Sequence, residues 1–459
     1  DAASRPLVLS ERRLYLRLYW AYERRIDNAL RQRLTTVEVT PADLPARLNN
    51  LFGSPKANAP IDWQKLACAL ATRGAFSIVT GGPGTGKTTT VVRLLALLQA
   101  PAVEAGAPLR IRLAAPTGKA AARLTESISL QVKSLEVDDT LRQKIPSDVT
   151  TVHRLLGSRP GTRHFRHHAG NRLPLDVLVV DEASMIDLEM MANLLDALPD
   201  HARLVLLGDK DQLASVEAGA VLGDLCRDAE AGWYSPSTRA WLEQISGEQL
   251  VGSGLQTDTE GSHPLAQQVV MLRHSRRFGE GSGIGQLSRL VNQQQAQEAR
   301  ALLASGEFAD LSAWPLSGEQ DKRFERLVLE GCGDEAKGYR HYLNVLREQR
   351  PVAGARLEDP CWAAWAGTVL NAFEGFQVLC AVRKGPWGVE GLNERITRAL
   401  FARQLIDSDQ QWYEGRPVLM TRNDYGLGLM NGDIGIALKL PEREGHDERQ
   451  VLRVAFARN

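Results

Sequence analysis

The chain has 459 residues, of which 43% are hydrophobic and 24% charged, and its formal net charge at pH 7 is zero. This composition is typical of a globular protein and, at this length, predicts two to four domains. A neutral chain has no general attraction for nucleic acid, so any such binding must come from local basic patches.

The five cysteines lie far apart and include no C-x-x-C pair. They predict buried thiols in a reducing compartment, the cytoplasm. No apolar run approaches the ~20 residues that a membrane-spanning helix needs, so no membrane partner is expected. The chain begins at Asp1 rather than Met, which suggests that a natural N-terminus has been lost.

The N-terminal region predicts a β-hairpin from Leu7–Leu9 and Leu14–Trp20, followed by an amphipathic helix. The helix carries its apolar face on Tyr22, Ile26, Leu30 and Leu34. Residues 1–52 are too few to build a core of their own. We therefore predict that residues 1–52 are either the remnant of a larger N-terminal domain or a docking element.

The functional prediction depends on Phe76–Thr90, FSIVTGGPGTGKTTT. A short apolar strand, a glycine-rich loop and a helical pattern follow one another, which is the required context for G-x-x-x-x-G-K-[ST]. Backbone N–H groups of such a loop wrap phosphates, Lys87 reaches the β- and γ-phosphates, and the Thr88 hydroxyl binds Mg²⁺. The predicted ATP-binding residues of the loop are Gly81, Gly82, Pro83, Gly84, Thr85, Gly86, Lys87, Thr88 and Thr89.

Gln64 lies about seventeen residues before this loop, at the start of a helix that Asp62 can cap. Its amide offers one donor and one acceptor, which suits the edge of an adenine base. An ordinary surface glutamine is equally compatible with the sequence.

Two further apolar strands each end in polar residues. Leu175–Val180 precedes Asp181 and Glu182, and Arg203–Gly208 precedes Asp209. Asp181 is predicted to bind Mg²⁺, and Glu182 to orient and deprotonate the attacking water. Gln212 follows and is predicted to contact the γ-phosphate and sense its loss.

Small and basic residues suggest contacts with a nucleic-acid backbone. Thr117-Gly118-Lys119 follows the strand Ile111–Pro116, where an ordinary strand-to-helix turn is the alternative. Residues 158–173 contain histidines among arginines. Metal binding is one reading of those histidines, but without acidic or cysteine partners at ligand spacing we prefer a basic hairpin that follows a phosphodiester backbone.

The second half is less informative. Gln268–Phe278 reads as a strand running into Arg276-Arg277, which is either an arginine finger or a solvated basic turn. Residues 314–365 are predicted to be helical, and Phe376–Ala381 to form a strand. Further predictions are a helix from Val389, a strand over 416–423 and a β-hairpin at Asn431-Gly432.

Taken together, the motifs resemble a known family: GGPGTGKTTT, LAAPTGKAAARL, TVHRLLG, LVVDEASMID, LLGDKDQLASVEAG, SRRF and NGDIGIAL. They are similar to superfamily 1 helicases of the 5′-to-3′ branch, and more closely to the RecD family, the alpha subunit of bacterial exonuclease V (RecBCD). The resemblance implies that Gln64 reads adenine and that Arg277 is a finger from a second RecA-like domain. It also implies a single-strand DNA track, formed by Pro116, Thr117, Lys119 and His153.

The resemblance implies an α/β fold with two RecA-like P-loop domains, at residues 60–250 and 263–425, and a partial SH3-like β domain at 426–459. It implies ATP and Mg²⁺ as ligands, DNA as substrate, and RecB-like and RecC-like subunits as partners in a heterotrimer. The expected function is ATP-dependent 5′-to-3′ unwinding at double-strand DNA ends for recombinational repair. The alternative is an ATP-binding structural or regulatory subunit without motor activity.

Two departures from the family limit this prediction. Motifs of the type VHKSQG and a TRAR-like arginine do not occur in these 459 residues, so we expect an incomplete ATPase site and DNA channel. The sequence also carries no G-x-x-D…D-Y-K nuclease pattern, so DNA cleavage is expected to reside in a partner subunit.

Overall fold

The computed structural model describes residues 5–35, 40–55, 59–159, 161–213, 219–279, 281–319, 321–332, 336–352, 356–424, 426–444 and 447–457. The chain divides into two compact units, Asp1–Asp310 and Leu311–Asn459. Among the described residues, no helix is both long and apolar enough to cross a membrane.

The strands are β1 (Leu7–Ser10), β2 (Arg13–Leu16), β3 (Phe76–Gly81), β4 (Ile111–Ala115), β5 (Val149–Thr151), β6 (Val177–Val180), β7 (Arg203–Gly208), β8 (Val269–Leu272), β9 (Gly331–Cys332), β10 (Ala336–Lys337), β11 (Pro417–Leu419), β12 (Ile434–Glu444) and β13 (Asp447–Phe456). The helices of the first unit are α1 (Arg17–Leu34), α2 (Leu44–Phe52), α3 (Trp63–Arg73), α4 (Lys87–Glu104), α5 (Gly118–Ser134), α6 (Asp139–Arg142), α7 (Val152–Leu156), α8 (Leu188–Ala197), α9 (Val221–Leu225), α10 (Pro236–Ser246), α11 (Gly283–Asn292) and α12 (Ala296–Ser305). Those of the second unit are α13 (Lys322–Glu330), α14 (Tyr339–Glu348), α15 (Pro360–Glu374) and α16 (Val389–Ala402).

A six-stranded parallel sheet organises the first unit, with the strand order β5-β4-β6-β7-β3-β8. Its strands β6, β7 and β3 are buried along their whole length because helices cover both faces of the sheet. Alternate residues of β6 point into different cores: Val177 and Val179 pack with α3, α4 and α5, whereas Leu178 and Val180 pack with α1 and α8. The predicted α/β fold class is confirmed, with a RecA-like parallel sheet in this unit.

The N-terminal hairpin is confirmed, with Leu7 opposite Leu16 and Leu9 opposite Leu14. Its second strand ends at Leu16, however, so the residues up to Trp20 belong to α1 rather than to a strand. Tyr22, Ile26 and Leu30 of α1 are buried and pack in the core that contains α8. The helix is therefore part of the first unit, since its apolar face completes that core.

The second unit has its own core, formed by α13 to α16 and the sheet β11-β12-β13. Both sheets described in this unit are antiparallel. The hairpin at Asn431-Gly432 joins β11 to β12, and β12 pairs with β13 as far as Glu444. The SH3-like identity of this β-rich region stays a prediction.

Three expectations differ from the structure. Phe376–Ala381 is not a strand: alternate side chains are half-buried, but no described strand pairs with it. β8, assigned from the sequence to a domain starting near residue 263, pairs with β3 in the first unit, and the division between units follows Asp310. The cysteines are not uniformly buried, because Cys332 and Cys361 are exposed.

Candidate nucleotide and nucleic-acid sites

The phosphate loop connects the end of β3 to the start of α4, as predicted. Gly84 and Gly86 have φ values of 75° and 84°, a region that favours glycine. The Thr85 hydroxyl donates to the Gly82 carbonyl over 2.9 Å and so tightens the turn. Lys87 Nζ donates to the Gly81 carbonyl at 2.7 Å and the Gly82 carbonyl at 3.3 Å, which places its charge inside the loop.

The two loop glycines with positive φ, Gly84 and Gly86, lie close to residues that are distant in sequence. A Cβ added to Gly86 would lie 2.2 Å from Gln64 Nε2, and one added to Gly84 would lie 2.4 Å from the Arg277 Cβ. The loop backbone is therefore enclosed by these two residues, which are distant in sequence. Such a cradle of backbone N–H groups at a helix N-terminus fits a polyphosphate.

Gln64 is buried, so the surface alternative is wrong. Asp62 caps α3 by accepting from the N–H groups of Gln64 (3.0 Å) and Lys65 (3.1 Å). Gln64 Nε2 donates to the Thr85 carbonyl over 3.0 Å, whereas its buried Oε1 has no hydrogen-bond partner among the described residues. A buried acceptor without a donor is costly, and the amino group of a purine is a donor that would satisfy it.

Asp181 and Glu182 follow β6 at the same carboxyl edge of the sheet. The Glu182 N–H donates to Asp181 Oδ1 over 2.8 Å, and Glu182 itself has a left-handed φ of 51°, a strained conformation for a non-glycine residue. Burial raises the pKa of Asp181 to about 6, the Glu182 charge adds to this, and the Lys87 charge opposes it. The phosphate-loop lysine and the carboxylates therefore share one electrostatic site.

Asp209 belongs to this site, although the sequence suggested no role for it. It is buried at the end of β7, between β6 and β3, and burial raises its pKa while the Lys87 charge lowers it. The next residue, Lys210, donates its N–H to the Thr80 hydroxyl over 3.0 Å, which ties the β7 loop to the phosphate-loop strand. The signal that could have identified Asp209 is its position after an apolar strand, like that of Asp181.

Gln212 is exposed in the loop after β7. Its N–H donates to the Asp209 carbonyl over 3.2 Å, and its Oε1 lies 3.5 Å from the Ser184 hydroxyl. Gln212 is thereby tied to the segment that begins with Glu182. Residues 214–218, which follow this loop, lie outside the described residues.

A divalent cation fits the same edge of the sheet. Mg²⁺ prefers oxygen ligands and is commonly held by one or two protein oxygens together with phosphates. The Thr88 hydroxyl at the start of α4 and the Asp181 carboxylate at the end of β6 are the side chains suited to hold it. Bound in this way, Mg²⁺ would neutralise charge that develops on the phosphates.

Arg277 lies beside the phosphate loop, but on an element of the first unit. The resemblance placed it on a second RecA-like domain, whereas the structure places it just after β8, which pairs with β3. The residue is exposed, and its Cβ faces Gly84. The difference arises because β8 completes the parallel sheet, which no local pattern in the sequence indicates.

The candidate DNA-contacting residues meet at the other end of the same edge. β4 and β5 are neighbours, with Ala115 opposite Thr151 in register. Pro116, Thr117 and Lys119 follow β4, and His153 lies at the start of α7 after β5. The Thr117 hydroxyl caps α5 by accepting from the Ala120 N–H over 3.2 Å. The four residues that the resemblance implied thus follow the carboxyl ends of two adjacent strands.

The basic segment 158–173 forms a short, irregular hairpin. Isolated bridges link Ser158 with Phe165 and His168 with Asn171. The exposed His153 ring meets Phe165 edge-on, with centroids 6.0 Å apart. The hairpin therefore lies beside the proposed track. Its role in following a phosphodiester backbone stays a prediction.

Gly84→Ala is expected to weaken ATP binding by at least about tenfold. Its left-handed φ alone costs about 1–2 kcal/mol for a residue with a Cβ, and the contact with Arg277 adds to this. Gly82→Ala is the matched control, because its Cβ would meet nothing within 4 Å and its φ is not positive. Titration of both variants with a fluorescent ATP analogue checks this. Equal losses in both would contradict the steric explanation.

Comparison with known proteins agrees with this geometry. The AAA domain family matches residues 64–218, which include Gln64, the phosphate loop and the acidic strand ends. The RecBCD enzyme subunit RecD of Haemophilus influenzae is 38% identical over 442 residues, or 94% of this chain. Its counterpart from Mycolicibacterium smegmatis is 39% identical over 94% of this chain. Over most of its length, the chain is therefore similar to RecD subunits of RecBCD enzymes.

The chain spans slightly less than two thirds of these RecD-family relatives, 66% and 65% of their lengths. The ATP-dependent RecD2 DNA helicase of Deinococcus radiodurans is 28% identical over 95% of the chain, which spans 46% of that protein. Among solved structures, the Pif1 helicase from Bacteroides in complex with ADP-AlF3 and ssDNA is 16% identical. That match covers 82% of this chain and 68% of the other, with a TM-score of 0.32.

Proposed function

We propose that this chain provides the ATP-hydrolysing motor of a DNA helicase subunit of the RecBCD type. The observation that carries the proposal is the arrangement of one sheet edge. The ends of β3, β6 and β7 hold the phosphate loop, Asp181, Glu182 and Asp209, while β4 and β5 end in the candidate DNA-contacting turns. Because both sets of residues lie along one edge of the same sheet, ATP hydrolysis and DNA contact would be separated by only a few adjacent strands.

The residues divide the chemistry among them. Lys87 and the loop N–H groups bind the β- and γ-phosphates of ATP, and Thr88 and Asp181 hold Mg²⁺. Glu182 orients and deprotonates the attacking water, because a carboxylate next to the γ-phosphate is a suitable general base. Gln212, tied to Ser184, senses the γ-phosphate, and Gln64 reads the adenine. The motor would then close on ATP binding and open after hydrolysis, in a hinge-type cycle.

We further propose 5′-to-3′ movement along single-stranded DNA in a cytoplasmic heterotrimer with RecB-like and RecC-like subunits. Similarity to RecD subunits of RecBCD enzymes supports this assembly. DNA cleavage would reside in a partner subunit. The complex would process double-strand DNA ends for recombinational repair. Sequence-independent grip would come from backbone contacts and from base stacking, at ~1–3 kcal/mol per base.

Unwinding should start only from a 5′ single-stranded tail. The test uses duplexes with a 5′ or a 3′ tail, with the purified protein alone and with RecB-like and RecC-like subunits whose own motor is inactivated. Unwinding only from the 3′ tail would refute the polarity. Unwinding from neither tail, with no DNA-stimulated ATP hydrolysis in the complex, would favour the ATP-binding regulatory subunit instead.

Lys119→Ala is expected to weaken binding to all single strands alike and to reduce the salt dependence by about one charge. Lys119 lies in the first turn of α5, at the proposed track. Lys133→Ala is the matched control, because Lys133 is exposed in the last turn of the same helix, away from the strand ends. Binding to strands of several sequences over a range of salt concentrations distinguishes the two. Identical behaviour of both variants would argue against the track.

A further inference from the structure

A short segment after β8 is attached directly to the phosphate loop. The Ser275 hydroxyl donates to the Pro83 carbonyl over 2.9 Å, and the Arg276 N–H donates to the Gly84 carbonyl over 2.9 Å. Ser275 Oγ also accepts from the Phe278 N–H over 3.1 Å, which closes the turn that contains Arg277. We call Ser275–Phe278 the latch.

The sheet explains why the latch reaches this position. β3 and β8 are adjacent and parallel, and Gly81 lies opposite Leu272 in register. The phosphate loop and the latch therefore leave the sheet side by side and in the same direction. The latch donates to the carbonyl groups of two consecutive loop residues, the exposed Pro83 and the half-buried Gly84.

The latch also packs closely against the phosphate loop. A Cβ on Gly84 would lie 2.4 Å from the Arg277 Cβ, 3.0 Å from the Arg277 nitrogen and 3.0 Å from Ser275 Oγ. The backbone of Arg277 is therefore fixed against the loop, while its side chain is exposed. A long cation that starts from a fixed point beside the phosphate loop needs little reordering to meet a phosphate, which reduces the entropy cost of the contact.

We propose that Ser275 is a positioning residue that holds Arg277 at the phosphate loop for ATP hydrolysis. The inference rests on the proposed function, and adds to it a residue and the contacts through which that residue acts. Arg277 belongs to the same unit as the phosphate loop. The Ser275 hydroxyl links the two, because it donates to the loop and accepts from the latch turn. Ser275 acts through Arg277 and has no contact of its own with the reacting atoms.

Ser275→Ala should lower kcat about three- to tenfold, the effect of one lost hydrogen bond on the population of the positioned state. The ATP dissociation constant should change less than about twofold, since Lys87 and the loop N–H groups remain. Ser275→Thr, which keeps the hydroxyl, should restore kcat. Ser134→Ala is the matched control, because Ser134 donates to the Gln131 carbonyl over 3.0 Å at the far end of α5 and should change nothing.

A double-mutant cycle distinguishes positioning from a general loss of structure. In an Arg277→Ala background, Ser275→Ala should cause no further fall in kcat, because the group through which it acts is gone. A further fall equal to that in the parent would overturn the inference, as would weaker ATP binding with unchanged kcat. If Lys87→Gln also left hydrolysis intact, the proposed function itself would fail. If Lys87→Gln abolished hydrolysis while the Ser275 effects were absent or additive, only the latch would fail.

Discussion

Lys87→Gln should abolish ATP hydrolysis while leaving the fold intact. Lys87 is half-buried in the phosphate loop, and its Nζ contacts two loop carbonyls rather than the apolar core. Glutamine can keep a neutral hydrogen bond to those carbonyls, but it cannot pair with the β- and γ-phosphates. Removing a cation aimed at charge that develops in the transition state should lower kcat by about 10²–10³-fold.

Steady-state phosphate release in the presence of single-stranded DNA measures this effect, and thermal unfolding measures the fold. Lys133→Gln removes the same charge from an exposed position on α5 and should leave both unchanged. The apparent melting temperature of Lys87→Gln should stay within a few degrees of the parent, since no packing is lost. Near-normal turnover by a folded Lys87→Gln variant would remove the phosphate-loop assignment.

The sequence predicted the parts of the fold and site whose determinants are local. The strand β3, the loop and α4 depend on a few consecutive residues with strong preferences, including the glycines that adopt positive φ. The side chains of Asp62 and Thr117 cap α3 and α5 by accepting from backbone N–H groups two or three residues further along the chain. Each is fixed by hydrogen bonds within about one turn of helix, so the pattern contains the information.

The errors occurred where long-range pairing decides the outcome. Phe376–Ala381 is a short, mostly apolar run, as in a buried strand, but a strand also needs a neighbour, and none of the described residues provides one. The resemblance implied that β8 belongs to a second domain, whereas it pairs with β3, which lies about 190 residues earlier in the chain. Periodicity reports which face is apolar and does not report which strand will lie alongside.

The same limit applies to individual site residues. Asp209 became part of the nucleotide site because β7 lies between β6 and β3, an order that the sequence does not specify. Ser275 has no distinguishing local pattern, and only the register of β8 against β3 brings its hydroxyl to Pro83. Residues such as Glu182 were found because they sit at the end of a recognisable apolar strand.

Glu182→Gln should retain Mg·ATP binding and stall hydrolysis. The amide has nearly the same shape as the carboxylate but lacks the basicity that activation of water requires, so kcat should fall by about 10²–10⁴-fold. Glu182 has a left-handed backbone conformation just after β6, and its N–H donates to Asp181 Oδ1. Because the backbone makes that bond, the substitution preserves the geometry of the neighbouring carboxylate.

Asp181→Asn provides the contrast within the site. Asp181 is the side chain suited to hold Mg²⁺, so this variant should lose the Mg²⁺-dependent part of ATP affinity, whereas Glu182→Gln should keep it. Glu189→Gln, on α8, is a matched charge-removal control outside the site and should hydrolyse ATP normally. Binding is measured by titration with and without Mg²⁺, and turnover by phosphate release. If Glu182→Gln lost nucleotide affinity in proportion to turnover, Glu182 would be a metal or structural ligand, and the general base would have to lie elsewhere.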